Sequence, residues 1–337
     1  MASAHPPAPV LCGLGTWLPP HVVTNDDLSR ELDTSDEWIR SRTGIGRRHV
    51  ADPGTATSDL AVEAGRRALK SAGLDAADTV VVATTTPDRP CPATAPLVAS
   101  ELGLGTVPAF DVGAVCTGFL YALATAAGFL AAGSAGTVLV IGADTYSSIL
   151  DPADRSTRAI FGDGAGAVVL RAGDPDEPGA LGRVELGSDG RGCDLITVPS
   201  GGSRDPIRAE TADRADPFFR MEGKKVFRNA VERMAESSQT AAERLGWGVG
   251  DVDLLVAHQA NIRIMHAVAD RLCLPRSRCH VHLDRVGNTA AASIPLALAD
   301  AAATGRLQPG DRIVTTAFGG GLTWGAAALR WPDVSPA

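Results

Sequence analysis

The chain repeats itself once, and this repeat constrains its fold more than any other feature. Val80-Val81-Val82-Ala83, followed by Thr84, resembles Leu254-Leu255-Val256-Ala257, followed by His258, 174 residues further on. The run 137–143 resembles 311–317 at the same offset. The Ala-rich stretch 117–132, after Cys116, resembles 289–303, after Asn288, at an offset of 172. Three elements in the same order at nearly one spacing indicate a duplicated half of about 170 residues. The halves are taken as 1–175 and 176–337, with Cys116 in the first and His258 and Asn288 in the second.

Each half alternates strand and helix signals. The short apolar runs at 80–83 and 254–257 are rich in branched residues and read as buried strands. The segment 58–72 reads as a helix with Leu60, Ala64, Ala68 and Leu69 on one face, stopped by Gly73. A longer helix over 223–245 carries Val226, Phe227, Ala230, Val231 and Met234 as its stripe, and Gly246 ends it. Alternation of this kind predicts a layered α/β architecture.

The composition narrows the functional class. Hydrophobic residues make up 45% and charged residues 21%, so 337 residues can bury a large core without staples. The six cysteines are scattered, which argues against a disulfide framework. The N-terminus lacks a basic segment followed by an apolar run. The longest apolar stretch, 119–133, is too short and too rich in Ala and Gly to span a bilayer. A cytoplasmic setting with reduced thiols and no membrane partner is therefore expected. A net charge of −8 argues against nucleic acid as the main partner.

Four junctions could carry chemistry. Cys116 lies in Gly113-Ala114-Val115-Cys116-Thr117-Gly118, between a strand end and a helix start. A helix N-terminus favours the thiolate, and small neighbours admit a substrate. The same pattern also fits a buried structural cysteine. His258 follows a strand directly, in His258-Gln259-Ala260-Asn261 before a helix over 262–272. It suits either a catalytic group on a rigid scaffold or a strand cap. Gly287-Asn288-Thr289 before a helix is also an ordinary N-cap signal. Gly319-Gly320-Gly321 frees the backbone either to aim N–H groups at an oxyanion or to turn tightly.

Two other motifs carry less. Phe161-Gly162-Asp163-Gly164-Ala165-Gly166-Ala167 superficially suggests a dinucleotide loop, but Val168-Val169-Leu170 follows instead of a helix. Cys279-His280-Val281-His282 with Cys273 offers metal-ligand types, but its alternation reads better as a strand, and no metal is expected.

Together these pieces resemble the β-ketoacyl-acyl carrier protein synthase III family. The Cys116 segment, His258-Gln259-Ala260-Asn261, Gly287-Asn288-Thr289 and Phe318-Gly319-Gly320-Gly321 look like its active-site blocks. Ser35-Asp36-Glu37-Trp38-Ile39 with Arg42-Thr43-Gly44-Ile45, and the 161–167 motif, add two more in order. The similarity runs from about residue 10 to 331.

The resemblance implies a homodimeric thiolase fold of two α/β halves in αβαβα layers. It implies that Cys116 takes an acyl group from acyl-coenzyme A. Malonyl-acyl carrier protein then loses carbon dioxide and attacks the thioester. The amides of Cys116 and Gly320 would form the oxyanion hole, and His258 and Asn288 would hold the enolate. Trp38 and Arg155 would sandwich the adenine, Arg42 would meet the phosphates and Asn261 the pantetheine. Lys224, Lys225, Arg228 and Arg263 would dock the acidic carrier protein. No cofactor is implied beyond the two substrates. Cys91 and Phe318 would shape the acyl pocket, Cys91 from the loop that closes the partner subunit's pocket. Cys91 stands where acetyl-specific relatives often carry phenylalanine, which predicts a primer longer than acetyl.

Relatives of this fold also prime polyketide pathways or transfer acyl groups without condensation. Having both His258 and Asn288 favours carbon–carbon bond formation, because bare transfer needs no enolate donors. A non-catalytic binding subunit would lack the nucleophile that this chain retains.

Overall fold

The computed structural model describes residues 7–337; the leader question turns on residues 1–6 and lies outside them. Five strands form one sheet: β1 (Ala8–Trp17), β2 (Thr79–Ala83), β3 (Ala109–Val112), β4 (Thr137–Asp144) and β5 (Gly164–Gly173), in the order β1-β5-β4-β2-β3. Four form a second: β6 (Glu185–Ser188), β7 (Leu254–Ala257), β8 (Arg312–Gly319) and β9 (Thr323–Arg330), in the order β7-β8-β9-β6. The helices that matter here are α1 (Asp36–Thr43), α2 (Thr57–Ala72), α3 (Gly118–Ala131), α4 (Gly223–Arg244), α5 (Ile262–Arg271) and α6 (Ser293–Ala303).

The two sheets share one topology and one register. Val81 pairs in parallel with Val140, and 174 residues on, Leu255 pairs in parallel with Val314. β4 then pairs antiparallel with β5, and β5 with β1, as β8 pairs with β9 and β9 with β6. All of β2 and β7 is buried, as continuous Val/Leu runs require when helices cover both faces.

The layering follows from where the apolar surface lies. α2 covers the outer face of the first sheet, so close to β1 that a Cβ on Gly15 would meet the Ala68 amide at 2.2 Å. α3 and α6 fill the space between the sheets, their Phe119, Leu120, Leu123 and Leu298 packed with Val81 and Val140 on one side and Val256 and Ile313 on the other. Each such side chain contributes roughly 1.5–3 kcal/mol of burial. α4 covers the outer face of the second sheet, and α5 packs against it. The result is the αβαβα stack of the thiolase fold. Among the described residues no helix is long and apolar enough to cross a membrane.

Two expectations need correction. The helices after Cys116 and Asn288 start at Gly118 and Ser293, each preceded by a 3-10 turn, Val115–Thr117 and Ala290–Ala292. The true match in this region is therefore 175 residues, and the counterpart of Cys116 is Ala291, with Asn288 three residues earlier. Ala-rich helices look alike when slid by about one turn, which explains the shorter apparent offset. The segment 279–282 is not a strand. Leu255 makes a single parallel bridge to Cys279, in the position that β3 fills against Val81 in the first sheet. His280 instead bonds Asp300 at 2.9 Å, which Arg285 also holds at 2.6 Å.

Candidate active site

Cys116 is the middle residue of its 3-10 turn, and the chain enters that turn through Val115 at φ 48°. A branched residue in this region is strained by about 1 kcal/mol or more and persists only where its surroundings dictate it. Part of the dictation is visible. A Cβ on Gly319 would sit 2.9 Å from the Cys116 amide nitrogen, so the Gly319-Gly320-Gly321 turn presses directly on the elbow. Thr323 Oγ1 lies 3.1 Å from Thr117 Oγ1 and 3.2 Å from the Ala114 carbonyl, tying turn and elbow together. Among the described residues, neither the Cys116 nor the Gly320 amide donates to another residue.

The thiol differs from expectation. Burial pushes the Cys116 pKa far up, and the Asp144 charge adds to this; only its own amide N–H opposes. Desolvation outweighs the helix start, so the resting sulfur is a thiol, not a thiolate.

His258 stands at the end of β7 and is 3% exposed. Burial lowers its pKa to about 3, which keeps the ring neutral. Its Nδ1 lies 2.6 Å from Ser293 Oγ, at the start of α6. Asn288 is pinned by its backbone, which donates to Ile160 O at 2.9 Å and accepts from Gly162 at 3.0 Å. The 161–167 motif thus holds Asn288 in place rather than binding a dinucleotide. The Asn288 Oδ1 accepts the Ala290 amide at 2.9 Å, as a cap would, and this leaves its Nδ2 hydrogens for the cavity it lines.

These groups share one cavity of about 540 Å³. Cys116, His258, Asn288 and Phe318 line its buried part, with Phe161, Phe219 and Ile196 as apolar wall. Arg42, Lys224, Phe227 and Arg263 stand at its exposed rim. Behind the wall, Tyr146 stacks on Phe161 at 4.4 Å and meets Phe219 edge-on at 5.2 Å.

The remaining expected residues fall in three groups. Trp38 is flanked by the guanidinium groups of Arg42 and Arg155, 4.9 and 5.1 Å from its ring centre. Arg155 also bonds Asp33, so it already occupies a place against Trp38 that adenine was expected to share. Asn261 lines the cavity, but its side chain is committed. Oδ1 caps α5 through the Arg263 amide at 2.9 Å, and Nδ2 donates to Arg42 O at 3.0 Å. Arg228 is exposed on α4 beside the rim, whereas Lys225 is paired with Glu222 at 2.7 Å. Cys91 is exposed and does not line the cavity of its own chain.

Ser293, Thr117, Thr323 and the Tyr146–Phe161–Phe219 cluster escaped the sequence reading. A serine at a helix start reads as a cap, and isolated threonines in a turn and a strand carry no signal of their own.

A buried cysteine at a strained helix entry faces a neutral histidine and an asparagine amide across one cavity, on two duplicated halves. That combination defines a thiolase-fold, acyl-transferring condensing enzyme. The family model for 3-oxoacyl-[acyl-carrier-protein] synthase III matches residues 110–190, and the model for that family's C-terminal part matches 242–331. The chain is 64% identical to beta-ketoacyl-[acyl-carrier-protein] synthase III 3 of Streptomyces coelicolor, over 98% of this chain and 99% of that protein. It is 53% identical to the synthase III of Pseudomonas aeruginosa, over 98% and 99%. A crystal structure of 3-oxoacyl-(acyl carrier protein) synthase III from Pseudomonas aeruginosa superposes with a TM-score of 0.92 at 52% identity, covering 98% of this chain and all of that one. The priming beta-ketosynthase of the R1128 polyketide pathway superposes at 0.90 with 34% identity, covering 99% of each. The chain belongs to the 3-oxoacyl-[acyl-carrier-protein] synthase III family.

Proposed function

We propose that this enzyme condenses an acyl-coenzyme A primer with malonyl-acyl carrier protein through an acyl-Cys116 thioester. The observation that carries this reading is the convergence of Cys116, His258 and Asn288 on one cavity beside two unpaired amides. In the first stage Cys116 sulfur attacks the primer thioester, and the Cys116 and Gly320 N–H groups receive the oxyanion. Each such donor is worth roughly 2.7–4 kcal/mol in comparable sites. The C–S bond to coenzyme A breaks, and the thiol proton of Cys116 ends on the released coenzyme A.

In the second stage the malonyl C–C bond breaks to release carbon dioxide. Negative charge moves to the thioester oxygen, where the His258 ring N–H and Asn288 Nδ2 donate to it. The enolate carbon then attacks acyl-Cys116, the Cys116 thiolate leaves, and it takes one proton from solvent to restore the resting thiol. A neutral His258 keeps one ring N–H to donate and one ring nitrogen to accept, so it can hold the oxygen's charge without itself being charged in the buried site.

Trp38, Arg42 and Arg155 form the aromatic and cationic cluster for the nucleotide end of coenzyme A. Arg155 must swing off Trp38 to admit adenine. Asn261 acts mainly by orienting Arg42. Lys224, Arg228 and Arg263 at the rim receive the acidic carrier protein, and Lys225 adds charge to the same helix. A second copy of the chain supplies Cys91 to the pocket, where its small side chain leaves room for a primer longer than acetyl.

The likeness to a polyketide priming ketosynthase supports a second reading, in which the same condensation starts a polyketide. Bare acyl transfer is less well supported, since it leaves His258 and Asn288 without a task. The reading is tested by product analysis. Purified enzyme with acyl-coenzyme A and malonyl-acyl carrier protein should release carbon dioxide and 3-ketoacyl-acyl carrier protein in equal amounts. Acylated carrier protein with no carbon dioxide would support bare transfer instead.

A further inference from the structure

Ser293 is one of the most enclosed polar side chains next to the cavity, at 1% exposure, and none of the roles above uses it. Its Oγ lies 2.6 Å from His258 Nδ1 and 3.0 Å from the Gln259 amide nitrogen. An amide N–H can only donate, so Oγ accepts from Gln259. The serine hydroxyl has one hydrogen of its own. Among the described residues the one acceptor within reach of it is His258 Nδ1. If Nδ1 carried the proton instead, the Ser293 hydroxyl hydrogen would be left unpaired inside the protein.

The amide that sets this direction is itself immobile. Gln259 Nε2 donates to Ala257 O at 2.7 Å and His280 O at 3.1 Å, and its Oε1 accepts the amides of His282 at 2.8 Å and Leu283 at 3.1 Å. Gln259 is fully buried, so its backbone N–H has no freedom to leave Ser293. α6 fixes the other end, because Ser293 is its first residue.

We propose that Ser293 is a positioning residue that holds His258 as the Nε2–H tautomer, with that hydrogen directed at the substrate oxygen during decarboxylation. The inference rests on the condensation reading and adds to it. No proton is transferred in the step: Ser293 keeps its hydrogen, Nδ1 stays an acceptor, and Nε2–H strengthens its hydrogen bond as charge builds on the thioester oxygen. Acylation of Cys116 does not pass through this chain of bonds.

The test uses full-length wild type, Ser293→Ala, Ser293→Thr and, as reference, His258→Ala. Single-turnover condensation of pre-acylated Ser293→Ala with malonyl-acyl carrier protein should fall about 10- to 100-fold, the usual cost of losing an orienting partner. Its acylation by acyl-coenzyme A should run at the wild-type rate, and Ser293→Thr should regain condensation. Histidine ¹⁵N shifts should read Nε2–H for His258 in wild type and a mixture of tautomers in Ser293→Ala. Wild-type condensation by Ser293→Ala, an equal fall in both stages, or an Nδ1–H signal in wild type would each overturn the inference. Should Ser293→Ala fail to fold, the wild-type ¹⁵N spectrum decides alone. If His258→Ala still condenses, the condensation reading itself fails. If only His258→Ala is impaired, the reading stands and the Ser293 inference falls.

Discussion

Asp144 accepts the Ala291 amide hydrogen at 3.0 Å, at the second half's copy of the elbow that carries Cys116. The two elbows match in their backbone: Val115 at φ 48° precedes Cys116, and Ala290 at φ 45° precedes Ala291. In one half the elbow amide donates to the Asp144 side chain, which also takes the Thr85 amide at 2.7 Å. In the other half the corresponding strand-end residue is Phe318, and the amide is left open to the cavity wall. An elbow that holds an anion in one copy supports the oxyanion role proposed for the Cys116 amide in the other.

Asn288→Ala should separate the two stages of the reaction. Its Nδ2 donor is lost while the Cys116 elbow remains, so acylation should persist and decarboxylation should fall on the order of 100-fold. Rapid-quench measurement of each stage checks this. An equal loss in both would mean that Asn288 acts by holding the Ala290 turn rather than by touching the enolate.

The pH dependence follows from buried groups. With the His258 pKa near 3, the ring is neutral across pH 5 to 8, so condensation from pre-acylated enzyme should show no His258 inflection there. Stability should behave differently. His258 and His282, lowered to about 3 and 4, contribute stability that is present above an unfolded value near 6.5 and lost on acidification. Asp144, raised to about 6, works in the opposite sense: its contribution is full below its unfolded value near 3.8 and lost as pH rises through 6. Burial also raises Asp163, in the same sense as Asp144, but the unfolded histidines titrate near 6.5, inside this window, and the Tm should fall between pH 7 and 5. A Tm that rises over that range would contradict the burial of both histidines.

Tyr146→Phe should stabilise the protein. The ring is fully buried, and its hydroxyl has no partner among the described residues. An unpaired buried hydroxyl costs about 1–3 kcal/mol, so its removal should raise the Tm by about 2 °C or more in a thermal scan. A lower Tm would show that the hydroxyl is bonded in solution.

Gly319→Ala should damage the nucleophile at a distance. The added methyl would meet the backbone nitrogens of Cys116 at 2.9 Å and Thr117 at 3.0 Å, and neither can yield without moving the elbow. A displacement of about 1 Å costs on the order of 100-fold in rate, read as slower acylation of Cys116. Gly190→Ala is the control, because nothing lies within 4 Å of its new methyl.

Sequence patterning reached the long-range order of this fold because its strands are continuous apolar runs, and a duplicated pair of such runs keeps its spacing. The bounds of Thr79–Ala83, Leu254–Ala257 and Gly223–Arg244 lie within a residue or so of the expected ones. The elbows were harder, since two Ala-rich helices align equally well a turn apart, and only the backbone places Ala291 opposite Cys116. His280 and His282 mimicked a strand because two side chains spaced two apart reach the same Asp300 carboxylate from a loop, although Cys279 beside them is buried as well. Cys116, His258 and Asn288 were legible through their motifs. Ser293 and Thr323 were not, because a hydroxyl's importance lies in partners 35 and 206 residues away.

The most direct measurement is the intact mass of the protein with acyl-coenzyme A, before and after adding malonyl-acyl carrier protein. The mass should first rise by one acyl group located on Cys116. It should then return to its starting value as an equal amount of 3-ketoacyl-acyl carrier protein forms. An acyl group found elsewhere, or one that leaves Cys116 without forming the 3-ketoacyl product, would contradict condensation through this thioester.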